Sequence, residues 1–348
     1  MTLPAIDKEY LINVLTGLLD TPSPTGFTEQ AIAYVEKALA VFPEVQTKRT
    51  PKGALLALLP GEREDAPRAI SAHVDTLGAM VKEIKPNGRL TITRIGGLIL
   101  NTVETEGCTV LAASGKTYRG SFLLSKASGH VYGKETSEQK REENSMEVRL
   151  DARTTSDEET RALGIEVGDY IAFDPRVELH NGFLRSRFLD DKACVAAVLA
   201  TVKALHDAGL KPLQKTWLYF TNHEEVGHGG STGLPAEISE LLVNDMAAIG
   251  EGQTSDEFHA SICVKDGGGP YDHALNQRLR QLAERYAIAY KVDIYTYYGS
   301  DGTAYWRAGG NAPVALIGPG IDASHNYERT HEEALIANVQ WNLAYLLN

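Results

Sequence analysis

The segment Tyr219-Phe-Thr-Asn-His-Glu-Glu-Val-Gly-His228 runs from an apolar stretch into two adjacent carboxylates and then a glycine. Glu224 and Glu225, side by side at the end of a buried strand, repel each other and resist desolvation, so a cation between or beside them is the ready explanation. A zinc helix of the His-Glu-x-x-His kind is excluded. Its histidines stand at i and i+4 to face one ion, whereas His223 and His228 are five apart. Gly227, Gly229 and Gly230 also make the segment a strand-to-loop transition rather than a helix interior.

Four further sites carry the same chemistry. His73 and Asp75, in Ala69-Ile-Ser-Ala-His-Val-Asp-Thr-Leu-Gly78, lie on one side of an extended chain, where they can share an ion or the aspartate can serve the histidine. Asp190 and Asp191 precede a run with the spacing of a buried helix, 192–206, and read alternatively as helix-capping and dipole-complementing residues. Asp245 follows the strand-like Leu241-Leu-Val-Asn244, and His325 lies in a polar loop, 320–330, ahead of the last helix. Each is ordinary alone. Together they are two histidines and several carboxylates, most of them at strand ends, where open α/β sheets place ligand sites.

The elements that must position them follow from periodicity. Residues 6–19 and 29–42 are amphipathic at helical spacing, while 54–59 and 69–73 are extended. From about residue 78 to 172 the pattern changes to short alternating runs broken by Gly, Asn and Lys, such as 89–94 and 109–112, which favour a small β-barrel or sandwich. Helix and strand alternation resumes after Asp190, with strands near 217–221, 241–245 and 313–317. The expected organisation is an α/β domain, 1–77 with 173–348, interrupted by a β-rich insertion, 78–172, in line with a prior of about 150 residues per domain. The charged stretch 136–144 reads as a solvated loop or helix face. Lys265-Asp-Gly-Gly-Gly-Pro-Tyr271 lacks the ending of a phosphate-binding loop and reads as a turn on the substrate side. Asp301, in Ser300-Asp-Gly-Thr-Ala304, reads first as a helix cap.

A formal charge of −12 argues against nucleic-acid or anionic-membrane partners, which need clustered Lys and Arg. With no signal-like N-terminal segment and no apolar run of about 18 residues, a cytoplasmic location is expected. Three cysteines, Cys108, Cys194 and Cys263, have neither paired-ligand spacing nor an even count, so they read as packing residues.

Six pieces, in order, resemble the M42 metallopeptidases, the di-metal aminopeptidases of the glutamyl and tetrahedral aminopeptidase type. They are His-Val-Asp-Thr-Leu-Gly from 73, Ile-Gly-Gly from 95, Leu-Gly-Ile-Glu-Val-Gly-Asp from 163, Phe-Leu-Asp-Asp-Lys from 188, Glu-Glu-Val-Gly from 224 and Ser-Asp-Gly-Thr-Ala from 300. The resemblance implies an α/β domain with a mixed sheet sandwiched by helices and an inserted small barrel-like domain. It implies two divalent ions, Zn or Co, with His73 and Asp245 on the first, Glu225 and His325 on the second, and Asp190 bridging both. Glu224 would be the general base and Asp75 would orient His73. A carboxylate can bridge ions roughly 3.5 to 4 Å apart where an imidazole cannot, and water between them has its pKa lowered toward about 7. The implied reaction is removal of N-terminal residues from short peptides, with deacylation of other amides as the alternative on the same site and a non-catalytic metal-dependent assembly role as a more distant one. Family resemblance also implies assembly through the inserted domain, from dimers to twelve-subunit shells.

Three departures stand out: His223 where a glutamine usually precedes the glutamates, Lys192 where an arginine is common, and a C-terminal ligand loop without His-Ser-Pro. In that loop His325 and His331 compete for one role. Thr330-His-Glu-Glu333 matches a capping box with Thr330 as N-cap and Glu333 at N3, which would make His331 a first-turn residue and leave His325 as the ligand.

Overall fold

The computed structural model describes residues 2–348 and divides into two compact units, one of residues 2–75 with Arg176–Asn348, the other Thr76–Pro175. The first unit is built on a ten-stranded mixed sheet. Its path runs Gln46–Arg49, Leu55–Leu59, Gln214–Thr221, Arg63–His73, Glu240–Asn244, Val314–Ile321, Ala260–Asp266, Gly269–Pro270, with Ala247–Ala248 and Tyr290–Ile294 pairing at the side. The four middle strands, Gln214–Thr221 to Val314–Ile321, are mutually parallel, and both flanks join them antiparallel.

Side-chain alternation at period two sorts these strands onto two apolar faces. Ile70, Ala72, Leu218, Leu242, Ala315 and Ile317 pack in one cluster with residues of the helices Lys8–Leu19, Glu29–Leu39, Leu189–Asp207, His273–Arg285 and Glu332–Leu347. Ala69, Leu241, Val243, Val314 and Leu316 form the other face, under Tyr305 and Trp306 of the short helix Asp301–Arg307. Helix Leu189–Asp207 is central to the first cluster, buried along almost its whole length, which its small residues Ala193, Ala196, Ala197, Ala200 and Ala204 permit by letting neighbours approach. Cys194 is buried in it, and all three cysteines are free and buried.

The second unit is a closed barrel of Gly78–Ile84, Leu90–Ile95, Met146–Leu150, Thr117–Leu124, Gly107–Leu111 and Tyr170–Phe173, in that order around the ring. Val81, Ile92, Val110, Phe122, Val148 and Ile171 fill it. Residues 136–144 are largely exposed beside it, with Arg141 held by Glu104 at 2.8 Å.

The start of the last helix differs from the capping-box expectation. Helix Glu332–Leu347 is capped by His331, whose Nδ1 accepts from the Glu333 amide at 3.3 Å. Thr330 instead belongs to the strand Glu328–His331, which pairs with Phe183–Ser186 in a separate three-stranded sheet, and its hydroxyl donates to the Gly320 carbonyl at 2.7 Å. Sheet pairing carries the extended backbone one residue further, so the cap shifts from Thr330 to His331. In the same way Ser300, not Asp301, caps Asp301–Arg307, with Thr303 completing the box.

Candidate functional site

Parallel strands put their C-terminal ends on one edge, and that edge gathers the chemistry. His73 ends its strand opposite Thr221, three residues before Glu224, while Asp245 directly follows the strand Glu240–Asn244. Asp190 and Asp191 sit at the entry of helix Leu189–Asp207 in non-helical conformations, so their carboxylates are not spent as caps. His325 comes from the loop after Val314–Ile321.

Two sets of ligand atoms converge, each within 4.8 Å: His73 with Asp190 and Asp245, and Asp190 with Glu225 and His325. Asp190 is common to both. Its Oδ1 faces His73 Nε2 at 3.3 Å, and its Oδ2 lies 3.6 Å from His325 Nε2, which is also 3.5 Å from Glu225. Ser324 donates to the same Oδ2 at 3.0 Å. Glu224 stands beside rather than within the sets, 3.8 Å from His73 Nε2.

The cluster fits divalent cations on its own evidence. His73 Nε2 is buried with no hydrogen-bond partner, while its Nδ1 lies 3.0 Å from the Asp75 main-chain oxygen, so the lone pair is aimed into the carboxylates. A buried imidazole lone pair facing only anions is repulsive until a cation or proton sits between them. Burial pushes Glu224 and Glu225 well above the ordinary carboxylate range, and burial with the charge of Asp190 raises Asp245 to about 8. Burial pushes Asp190 up, but His73, His325 and Ser324 together outweigh it and hold this carboxyl below its ordinary value. His73 is raised despite burial, by Asp190, Asp75, Glu224 and Asp191. Imidazole and carboxylate oxygen are ligands that suit Zn and its neighbours.

A ring of fixed carboxylates holds this arrangement. Asp75 lies 3.5 Å from His73 Nδ1, but its oxygens chiefly accept from Thr25 Oγ at 2.7 Å and from the amides of Glu224 and Glu225 at 3.1 and 3.3 Å. It therefore fixes the Glu224–Val226 turn as well as the histidine. Asp301 braces the far side of that loop through Thr221 and the Gly230 amide, the latter at 2.6 Å. A Cβ on Gly229 would stand 2.3 Å from Asp301 Oδ1, and one on Gly230 2.2 Å from its carbonyl, so this close approach requires both glycines.

Glu328 is the residue sequence reasoning missed. Fully buried, it accepts from the amides of Leu189 at 2.6 Å, Asp190 at 3.3 Å and His325 at 3.2 Å, so one carboxylate ties two ligand-bearing loops together. It also steadies His325, whose φ of 63° is left-handed and disfavoured outside glycine. Its signal was faint: a glutamate three residues after a loop histidine, in a stretch that otherwise reads as solvated. His331 lies apart, its Nε2 3.3 Å from the Asn181 carbonyl and its ring edge-on to Phe183 at 4.8 Å.

The model of the M42 glutamyl aminopeptidase family matches residues 53–340. The chain belongs to this family. YhfE of Bacillus subtilis (strain 168) is 47% identical to this M42 protein over 325 residues, 93% of each chain, and a lysyl aminopeptidase of Pyrococcus furiosus is 23% identical over 290 residues, 81% and 79% of the two. Among solved structures, the dodecameric PhTET1-12s superposes with a TM-score of 0.84 at 22% identity, covering 97% of this chain and 99% of that one. Aminopeptidase APDkam598 from Desulfurococcus kamchatkensis gives 0.86 at 22% identity, covering 97% and 95%. The M42 protein is thus a peptide hydrolase with the fold of the TET aminopeptidases.

Proposed function

We propose that the chain is a di-metal aminopeptidase that removes N-terminal residues from short peptides. The observation that carries this reading is Asp190, one buried carboxylate whose two oxygens face two different histidines, each backed by a further carboxylate. His73, Asp190 and Asp245 would hold one ion; Asp190, Glu225 and His325 would hold the other. When bound, such a pair polarises a peptide carbonyl and acidifies water. Zn or Co suits the donors.

Glu224 is the group left to move protons. Its carboxylate is not in either ligand set, yet Asp75 fixes its backbone and burial raises its affinity for a proton. A carboxylate whose proton affinity burial has raised can accept a proton from water and return it to a departing amine, as general acid–base catalysis requires. Asp75 and Glu328 do no proton transfer in this scheme; they hold the ligands. Assay of the metal-loaded protein on aminoacyl anilides, short peptides and N-acylated amino acids tests the reading. Hydrolysis of free-amine substrates supports it, whereas cleavage of the N-acylated set alone would convert it to a deacylase.

Self-association through the barrel unit is the companion proposal. A unit of this size has a limited core of its own and gains by burying surface against a copy. The PhTET1-12s neighbour is a dodecamer. Light scattering at micromolar concentration that gives only monomer overturns it. Nothing favours nucleic acid, and no described helix is long and apolar enough to cross a membrane; action in the cytoplasm completes the proposal.

A further inference from the structure

We propose that Lys52, with His228 and His223, forms a subsite that binds a carboxylate of the substrate. The proposal rests on the peptidase reading for what the ligand is, and on the following geometry for where it binds. Lys52 lies in the turn before strand Leu55–Leu59, and Asn222 pins that turn by donating to the Lys52 carbonyl at 3.0 Å. Asn222 immediately precedes His223 and the glutamate pair. The turn carrying Glu224 is closed by the His228 amide on the His223 carbonyl at 3.1 Å, so the two histidines flank the base-bearing segment.

Donors are left over there. The Lys52 ammonium is 2.8 Å from His228 Nδ1 and also donates to the His228 carbonyl, and no carboxylate among the described residues lies within ion-pair distance of it. An ammonium has three donors, and these contacts use two. Because His228 Nδ1 accepts, its proton is on Nε2, a second donor with no acceptor among the described residues. Asn222 Nδ2 is engaged as a donor, so its Oδ1 accepts from His223 Nδ1 at 3.1 Å, fixing that ring. The His223 ring stacks on His228 at 5.0 Å with 26° between planes and so orients it.

A half-buried cation with no direct carboxylate partner is costly, and burial draws the Lys52 ammonium below its ordinary pKa against the weaker pull of the Asp301 and Asp75 charges. In a chain with 46 acidic against 34 basic residues, this ammonium makes its direct contacts to His228 rather than to a carboxylate, so its third N–H can donate to an anion brought by the substrate. An ammonium N–H and an imidazole N–H together suit the two oxygens of a carboxylate. In a short peptide that group is either an acidic side chain or the free C-terminus.

Calorimetry separates the two sources. The protein is the metal-loaded Glu224→Gln variant, so that peptides survive, and the probes are glutamyl-alaninamide, alanyl-alanine and alanyl-alaninamide. Glutamyl-alaninamide carries the side-chain carboxylate, alanyl-alanine the terminal one, alanyl-alaninamide neither. One of the first two is expected to bind at least about tenfold more tightly than the third, the low end for a charge-assisted hydrogen bond. Lys52→Met should erase most of that advantage, Lys52→Arg should retain part of it, and His228→Ala, which removes one donor and one anchor, should reduce it. Equal binding of all three peptides, or an advantage that survives Lys52→Met, overturns the subsite. If the carboxylate advantage holds but the unmutated enzyme hydrolyses none of the three, the subsite stands and the peptidase reading falls.

Discussion

Removing the metals should make this protein less stable as pH rises, the reverse of ordinary acid denaturation. Asp245 is the group whose magnitude can be worked. In the folded chain without a cation its pKa is about 8, against 3.8 in an exposed chain, through burial and the neighbouring charge of Asp190. A carboxyl raised on folding contributes stability that is fully present below the unfolded value and lost as pH climbs through the folded one. The loss therefore falls between about pH 4 and about pH 8. A gap of roughly four units is worth about 5 kcal/mol, comparable with the whole stability of a marginal domain. Glu225, Asp191 and Glu328 are shifted in the same direction, chiefly by burial, and His73, also raised, loses its contribution with rising pH as well.

In the proposed di-metal state two ions would replace the protons and should abolish this slope. Thermal unfolding of chelator-treated and zinc-reloaded protein from pH 5 to 9 measures it: Tm of the stripped form should fall steadily, while that of the loaded form stays level or rises. Binding should also release protons. Asp245 is roughly nine-tenths protonated at pH 7 and roughly one-tenth at pH 9, so its share of the release drops by about 0.8 proton across that interval. Calorimetry in buffers of different ionisation enthalpy reads that number, and Asp245→Asn should remove this component. A stripped protein whose Tm rises from pH 5 to 8, or metal binding with no proton release at pH 7, would refute the reasoning.

Glu224→Gln should retain both metals and lose on the order of 10² to 10⁴ in turnover, whereas Glu225→Gln should also lower metal occupancy; equal depletion in both rejects the division of labour. His325→Ala should lose one metal equivalent by elemental analysis. His331→Ala, whose nitrogens serve the helix cap and the Asn181 carbonyl, should keep both and perturb mainly the thermal stability of the last helix. Glu328→Gln turns a donor toward amides that need an acceptor, so zinc affinity at the His325 side should fall about 10- to 100-fold, the range for groups that orient ligands. Unchanged zinc binding in that variant would show that the loops hold themselves.

Much of the fold was legible because periodicity reports burial directly. The strands read near 217–221 and 241–245 became Gln214–Thr221 and Glu240–Asn244, and the short broken runs after residue 78 became the closed barrel. The ligand candidates were legible for a different reason: buried carboxylates and histidines at strand ends are expensive without a partner, so their presence signals one. The helix start at His331 was not legible. Thr330-His-Glu-Glu333 satisfies the local capping pattern, but strand Glu328–His331 pairs with Phe183–Ser186, far away in sequence, and that pairing decides where the extended backbone ends. Local rules describe what a segment prefers; the neighbour that overrides the preference has no local trace.

Asp75, Asp301 and Glu328 show why the supporting residues were harder to read than the candidate ligands. Each is a buried acid that could pass for one more metal ligand or one more cap. In the fold each turns its oxygens to backbone amides or hydroxyls of a segment that carries chemistry: Asp75 to Glu224 and Glu225, Asp301 to Gly230 and Thr221, Glu328 to Asp190 and His325. An acceptor bonded to amides fixes a loop's position without drawing on any cation, so in the proposed di-metal scheme the candidate ligands would be placed largely before metal arrives. Asp190, Glu225 and Asp245 instead turn toward the histidines, Asp190 accepting one hydroxyl, that of Ser324, on the oxygen it turns to His325, and Asp245 accepting the adjacent Met246 amide. The division is therefore between acids that satisfy backbone and acids that wait for a cation. Residue type is the same in both classes, and the difference lies in which amides the fold brings within reach.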